Sequence, residues 1–177
     1  MSWTLLAWGV PVGLLLVSGS AKLADREAFR GVLLVLGGPA KRFSHLGSIS
    51  VPLVEVLVAL AALVLPGWGD QVALATVFIL LAALELVLLR KGWAESCQCY
   101  GQLSTQPPSA WSIFVNVASA GAALWFGWAA AHGFPVGLAS RGAAVVMGLG
   151  GAFILLLGDR AARVVHVWGF AGGGVRQ

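Results

Sequence analysis

The stretch QVALATVFILLAALELVLL, residues 71–89, is followed at once by Arg90 and Lys91. It carries a single ionisable side chain, Glu85, and matches the ~20 apolar residues that one helical crossing of a bilayer requires. An apolar run of this length that stops at a basic pair reads as a membrane-spanning helix. Comparable runs lie on either side, from Trp3 to Lys22, from Val51 to Leu65 and from Ala110 to Ala130. A last one, Ala143 to Leu157, is glycine-rich and only just long enough to span.

Composition points the same way. Hydrophobic residues make up 59% of the 177 and charged residues 10%, with a mean hydropathy of +0.89, whereas soluble proteins carry about 25% charged residues. The expected fold class is all-α, a polytopic transmembrane helical bundle. The net charge of +4 does not indicate nucleic acid, because no long lysine/arginine block or aromatic–basic weave accompanies it. Membrane lipid is the expected surrounding partner.

The connections carry stop signals. Leu65-Pro66-Gly67 ends the second run, and Trp68-Gly69-Asp70 is expected as a tight turn. Pro52 falls in what the pattern makes the first turn of its helix, where its missing N–H costs nothing. Val32 to Leu36 is too short to cross. With Asp25 before it and Gly37-Gly38-Pro39 after, that segment reads as an interfacial or re-entrant helix. Pro11 is expected to kink the first helix mildly, while Gly9 and Gly13 give it a small-xxx-small packing face. Trp68, Trp93, Trp111, Trp128 and Trp168 fall near span ends, as an interfacial aromatic belt does.

Five spans place Arg141 on the same face as the N-terminus. The opposite face collects Lys22, Arg26, Arg30, Lys41, Arg42, Arg90, Lys91, Arg160, Arg163 and Arg176. Ten basic residues against one is a positive-inside bias. The chain is therefore expected as a multi-pass cell-membrane protein with its N-terminus outside and the loop after Lys91 at the cytoplasmic face.

Up-and-down threading also gathers the few polar residues of the spans at that face. Lys22 ends the first span with Ser18 one turn deeper, Glu55 lies just inside the second, Glu85 near the end of the third, and Asn116 about 9 Å inside the fourth. A carboxylate within a span costs up to ~3.5 kcal/mol at the bilayer centre, so Glu55 and Glu85 are expected to face inward, protonated or paired, with Lys22 the nearest partner. Taken singly, each has a plainer role. Lys22 can snorkel to headgroups, Ser18 and Asn116 can bond helix to helix, Glu55 can be a solvated first-turn acid, and Glu85 can pair with Arg90 or Lys91. His45, His132 and His166 show no metal-ligand spacing and read as surface histidines.

The loop from Gly92 to Ser109 holds both cysteines of the chain, Cys97 and Cys99, one residue apart. Thiols at this spacing can close a strained disulfide, which is labile and suits exchange better than structure. Arg90 and Lys91 nearby favour the nucleophilic thiolate, and Gly101 gives the turn backbone freedom. In that chemistry one cysteine attacks a sulfur centre and the other resolves the mixed disulfide. Glu55 or Glu85 moves protons, Lys22 holds charge, and a membrane quinone accepts the electrons. The alternative reading makes Cys97 and Cys99 metal ligands for copper or zinc, although two sulfurs do not complete a tetrahedral zinc shell. A third reading is a non-catalytic assembly or maturation factor.

Three stretches carry a family resemblance: Ser18-Gly19-Ser20-Ala21-Lys22-Leu23 with Phe29 following, Pro52-Leu53-Val54-Glu55, and Cys97-Gln98-Cys99-Tyr100-Gly101 after a basic pair. With these the chain resembles the MauE branch of the DoxX-like membrane proteins, the methylamine-utilisation family. Tyr100 stands where the family motif has phenylalanine, and Val115 replaces the arginine that usually precedes the asparagine at 116. The resemblance implies a four-helix transmembrane core over residues 1–130. It leaves 131–177 as an extension holding the fifth, C-terminal membrane helix and a flexible tail. It also implies thiol–disulfide handling beside a thioredoxin-like partner or a client protein under maturation, with quinone linkage in some relatives. Cys97, Cys99, Glu55, Glu85 and Lys22 are the expected reacting groups, and Asn116, Ser18 and Tyr100 the expected substrate contacts.

Overall fold

Three of the helices start where a polar side chain takes up a free backbone N–H group. The computed structural model describes residues 3–65, 67–95, 107–133 and 142–150, with side chains from Trp8 onward. Its elements are α1 (Trp3–Ala24), α2 (Arg26–Leu36), α3 (Gly38–Arg42), α4 (Ser44–Val64), α5 (Trp68–Arg90) and α6 (Ala110–Ala131), followed by a helical segment over 142–150, α7. Ser109 Oγ accepts the Ser112 N–H at 3.1 Å, and Ser112 Oγ accepts the Ser109 N–H at 3.2 Å, a reciprocal cap that opens α6. Asp25 Oδ1 accepts the Ala28 N–H at 3.2 Å at the start of α2. Asp70 Oδ2 reaches back to the Gly67 N–H at 3.2 Å, so Trp68-Gly69-Asp70 is the first turn of α5 and not the separate tight turn expected.

The second run also begins earlier than its hydropathy indicates. α4 starts at Ser44, which puts Pro52 inside the helix and not in its first turn. The cause is tertiary. Ser44 and Ser48 are buried, and α2 packs across this end of α4, where Leu33 Cδ1 lies 3.0 Å from the position a Cβ on Gly47 would take. α2 itself buries Phe29, Val32 and Leu33 and exposes Arg26 and Glu27, as an amphipathic helix at an interface does. It ends at Gly37 and Gly38, whose φ values of 75° and 53° are left-handed and favour glycine.

α4, α5 and α6, of 21, 23 and 22 residues, are each long and apolar enough to cross a membrane. α1 adds 22 residues, and its described part, Trp8–Ala24, is a shorter apolar helix. Neighbour packing closes these four into a ring in the order α1, α4, α5, α6, with α5 most extensively on α6 and α1 on α4. Inside the ring lie Trp8, Val12, Leu15, Leu74, Phe78, Ala123 and Phe126. Outside it, Leu80 is 63% and Phe114 59% exposed. Apolar surface on that scale is stable only against hydrocarbon, so the chain is a helical membrane bundle. Exposed Trp111 and Trp128 mark the two ends of α6, about 25 Å apart along its axis, close to the ~30 Å apolar core of a bilayer.

Gly9 and Gly13 do form a packing face, and α7 occupies it. A Cβ on Gly9 would fall 2.0 Å from the Ala144 carbonyl oxygen, and one on Gly148 would fall 2.0 Å from the Gly9 oxygen. The backbones of α1 and α7 therefore touch, which only glycine permits. The remainder of the last apolar run, Trp168 and the C-terminal tail lie outside the described residues.

Gly9→Val is expected to lower stability in detergent by about 1–3 kcal/mol through overpacking. Gly121→Ala, in α6 with nothing within 4 Å of the added Cβ, is expected to raise it by up to about 1 kcal/mol through helix propensity. Unfolding midpoints of the two variants measure the contrast.

Candidate functional site

Gly19 allows the approach on which the site is built. A Cβ there would lie 2.8 Å from the Pro52 oxygen and 3.1 Å from Glu55 Cβ, so α1 and α4 meet nearly backbone to backbone. Ser18 and Lys22, one turn apart on α1, then converge on a single carboxylate. Lys22 Nζ donates to Glu55 Oε1 at 2.5 Å, and Ser18 Oγ donates to Glu55 Oε2 at 2.9 Å. Ser18 and Lys22 are 0% and Glu55 1% exposed. The Phe29 ring, carried over from α2, lies with its centroid 5.2 Å from Lys22 Nζ and covers the amine with a cation–π contact.

Two of the plainer roles are overturned by this geometry. Lys22 does not snorkel outward, because its amine is fully enclosed by Glu55 and Phe29. Glu55 is not a solvated first-turn acid. It lies eleven residues after Ser44, about 16 Å along the helix axis, because α4 begins before its apolar run does.

A second buried pair joins the other two helices of the ring. Asn116 Nδ2 on α6 donates to Glu85 Oε2 on α5 at 3.2 Å, and both residues are 0% exposed. Lys91, offered by the sequence as a partner for Glu85 or for a thiolate, goes elsewhere. Its amine donates to the Val35 and Leu36 carbonyl oxygens at 3.1 and 2.8 Å, capping the C-terminus of α2, where the helix dipole favours a cation. The structure thus joins Ser18, Lys22 and Glu55 in one set and Glu85 with Asn116 in another. α2 adjoins both, starting beside the Lys22 end of α1 and ending against Lys91. Cys97, Cys99 and Tyr100 lie outside the described residues, in the connection between α5 and α6.

Sequence reasoning missed one interior contact. Trp8 Nε1 donates to Gln71 Oε1 at 3.0 Å, and the indole stacks on Phe126 at a centroid distance of 4.8 Å. Gly127 makes room, since a Cβ there would come within 2.8 Å of Gln71 Cβ. Gln71 reads as the boundary of an apolar run, but the helix begins at Trp68, which moves the amide inside. A lone glutamine beside such a run is the signal that was available.

Chemically, the set holds an amine against a carboxylate out of water and keeps a second carboxylate under an amide donor. Among the described residues no group of three or more His, Cys, Asp or Glu side chains is placed to hold a metal ion. Either single variant, Lys22→Met or Glu55→Gln, is expected to destabilise the bundle by about 3–5 kcal/mol by stranding a buried partner. The double variant should cost much less than the sum. A double-mutant cycle of unfolding free energies in micelles checks the coupling.

The model of one protein family, described as Methylamine utilisation protein MauE, matches residues 1–129. No curated protein and no solved structure matches the chain. The matched stretch takes in α1 to α5 and all but the last residues of α6, with Ser18, Lys22, Glu55, Glu85, Asn116 and both cysteines inside it. On that match over most of its length, this helical membrane bundle belongs to the MauE family.

Proposed function

We propose that the protein is an integral membrane thiol–disulfide protein with an accessory role in methylamine utilisation, and that Cys97 and Cys99 are its reacting pair. The observation that carries this reading is the position of the Glu85–Asn116 pair. These residues lie five before Arg90 and six after Ala110, on the two helices whose ends carry the cysteine loop. A buried acid under an amide donor at the root of a dithiol loop is suited to moving the protons that thiol exchange releases.

In this reading a thiolate of a partner protein or small sulfur compound attacks the Cys97–Cys99 disulfide. A mixed disulfide forms and one cysteine leaves as thiolate. A second partner thiolate displaces the remaining cysteine, so the partner closes its own disulfide and Cys97 and Cys99 hold two electrons and two protons. A quinone in the bilayer takes both to become quinol, and the pair is restored. Glu85 relays the protons. Glu55 is already committed to Lys22 and Ser18, and those three fix the register of α1 on α4. Asn116, Ser18 and Tyr100 remain the proposed substrate contacts, with Ser18 acting through Glu55. With Lys22 enclosed, a five-span threading still sets nine basic residues of the sequence against Arg141, and the proposed orientation keeps the cysteine loop at the cytoplasmic face.

Alkylation of the native protein should add no label to the oxidised chain and two labels after reductant, read by intact mass. A membrane-impermeant maleimide should label reduced inverted vesicles and not right-side-out cells. Two labels without reductant, or stoichiometric copper in the purified protein, would overturn the redox reading, the latter in favour of metal ligation. Glu85→Gln is expected to slow reoxidation of the dithiol by about 10²-fold, the loss typical of a missing proton-transfer group, measured by stopped labelling with a soluble quinone as oxidant.

A further inference from the structure

Just beyond the Lys22 end of α1, the last residue of α1, the first turn of α2 and the first turns of α4 line a surface cavity of about 290 Å³. Its lining includes Asp25, Arg26, Glu27, His45, Ser48 and Ile49. That volume falls at the lower end of the ~300–1,000 Å³ typical of small-ligand sites. Both signs of charge line it. Arg26 and His45 are exposed and in no ion pair among the described residues. Glu27 keeps one carboxylate oxygen outside its 3.2 Å contact with Arg30, and Asp25 uses Oδ1 to cap α2. A simple anion would meet two carboxylates here, and a simple cation would meet the guanidinium. A ligand carrying both charges close together satisfies both.

The surroundings say which zwitterion fits. α2 lies with its apolar residues buried and its charged first turn outward, as at a membrane surface. From the cavity an exposed apolar stripe runs down α4 through Leu46, Leu53, Leu57, Leu60 and Val64, at 43–65% exposure in a row that repeats every three to seven residues. It is one helix face that leads from the polar cavity toward the hydrocarbon. A head with two charges joined to an acyl chain matches this surface from top to bottom.

We infer that the cavity binds the phosphoethanolamine headgroup of a membrane phospholipid. Its phosphate is held by the Arg26 guanidinium and the His45 imidazole, its primary ammonium by the Glu27 carboxylate, and its acyl chain lies on the α4 stripe. Arginine suits phosphate because its planar fork donates two parallel bonds, and the N-terminus of α2 adds its dipole on the same side. Choline fails because a trimethylammonium has no N–H to donate, and a glycerol headgroup fails because it has no cation. Neither the thiol chemistry nor the buried pairs enter into this assignment.

Native mass spectrometry of the full chain in mild detergent, titrated with dioctanoyl phosphatidylethanolamine, phosphatidylcholine and phosphatidylglycerol, tests it. The ethanolamine lipid should bind about tenfold more tightly than the other two, the effect of one charge-assisted contact. Arg26→Gln should weaken all three, and Glu27→Gln should reduce the ethanolamine lipid to the choline level. Both side chains are exposed, so the fold is retained. Equal retention of the three lipids, or unchanged binding in both variants, would overturn the site. Soluble phosphoethanolamine binding as tightly as the lipid would overturn the lipid assignment.

Discussion

A lysine ammonium and a glutamate carboxylate removed from water each lose several kcal/mol of hydration, and in a bilayer no solvent is at hand to restore it. Lys22 and Glu55 solve this for each other, and the rest of the bundle is arranged so that they can. Gly19 brings α1 against the Pro52 carbonyl. Ser18 fills the second carboxylate oxygen, and Phe29 closes the amine from the α2 side. Sliding α1 along α4 by one turn would leave both charges buried and alone. The ion pair is therefore better understood as a register lock than as a net source of stability, since buried pairs often gain little over apolar residues of similar volume.

The same lock accounts for the odd shape of the sequence around it. The chain cannot go straight from α1 into α4, because the first two turns of α4 must extend past Glu55 and need cover. α2 supplies that cover by laying Phe29, Val32 and Leu33 inward, and the Gly37–Gly38 bend returns the chain to α4. On the opposite half of the ring, Glu85 and Asn116 form the counterpart, a buried carboxylate that accepts from an amide. One half of the ring is fixed by a salt bridge and the other carries the buried acid nearest the two cysteines in sequence.

How much of this could be read from residues alone depends on how local each cause is. The apolar runs that became α5 and α6 were legible, because a bilayer demands length and hydropathy and both are properties of a single segment. The start of α4 was not, since Ser44 to Ser50 is too polar to announce a span and becomes part of a long helix only once α2 lies over it. Lys22, Glu55, Ser18, Glu85 and Asn116 were each visible as polar groups in apolar surroundings. Which of them would bond to which was decided by Gly19 and by the order of helices around the ring, neither of which appears in a window of neighbouring residues. Trp8 and Gln71, sixty-three positions apart, belong to the same class of unreadable pairs. The direction of Lys91 was not legible either, because its contacts with the carbonyls of Val35 and Leu36 reach more than fifty positions back along the chain.

That last contact has a mechanical side. Lys91 is the residue at which α5 gives way to the cysteine loop, and its amine grips the far end of a helix whose other half roofs the Lys22 ammonium. Torque applied to the loop by a docking protein has a short route to that roof, through one flexible side chain and one rigid rod. The end of α5 and the packing around a charge on a different pair of helices thus share a lever arm, without any group having to cross the interior of the bundle.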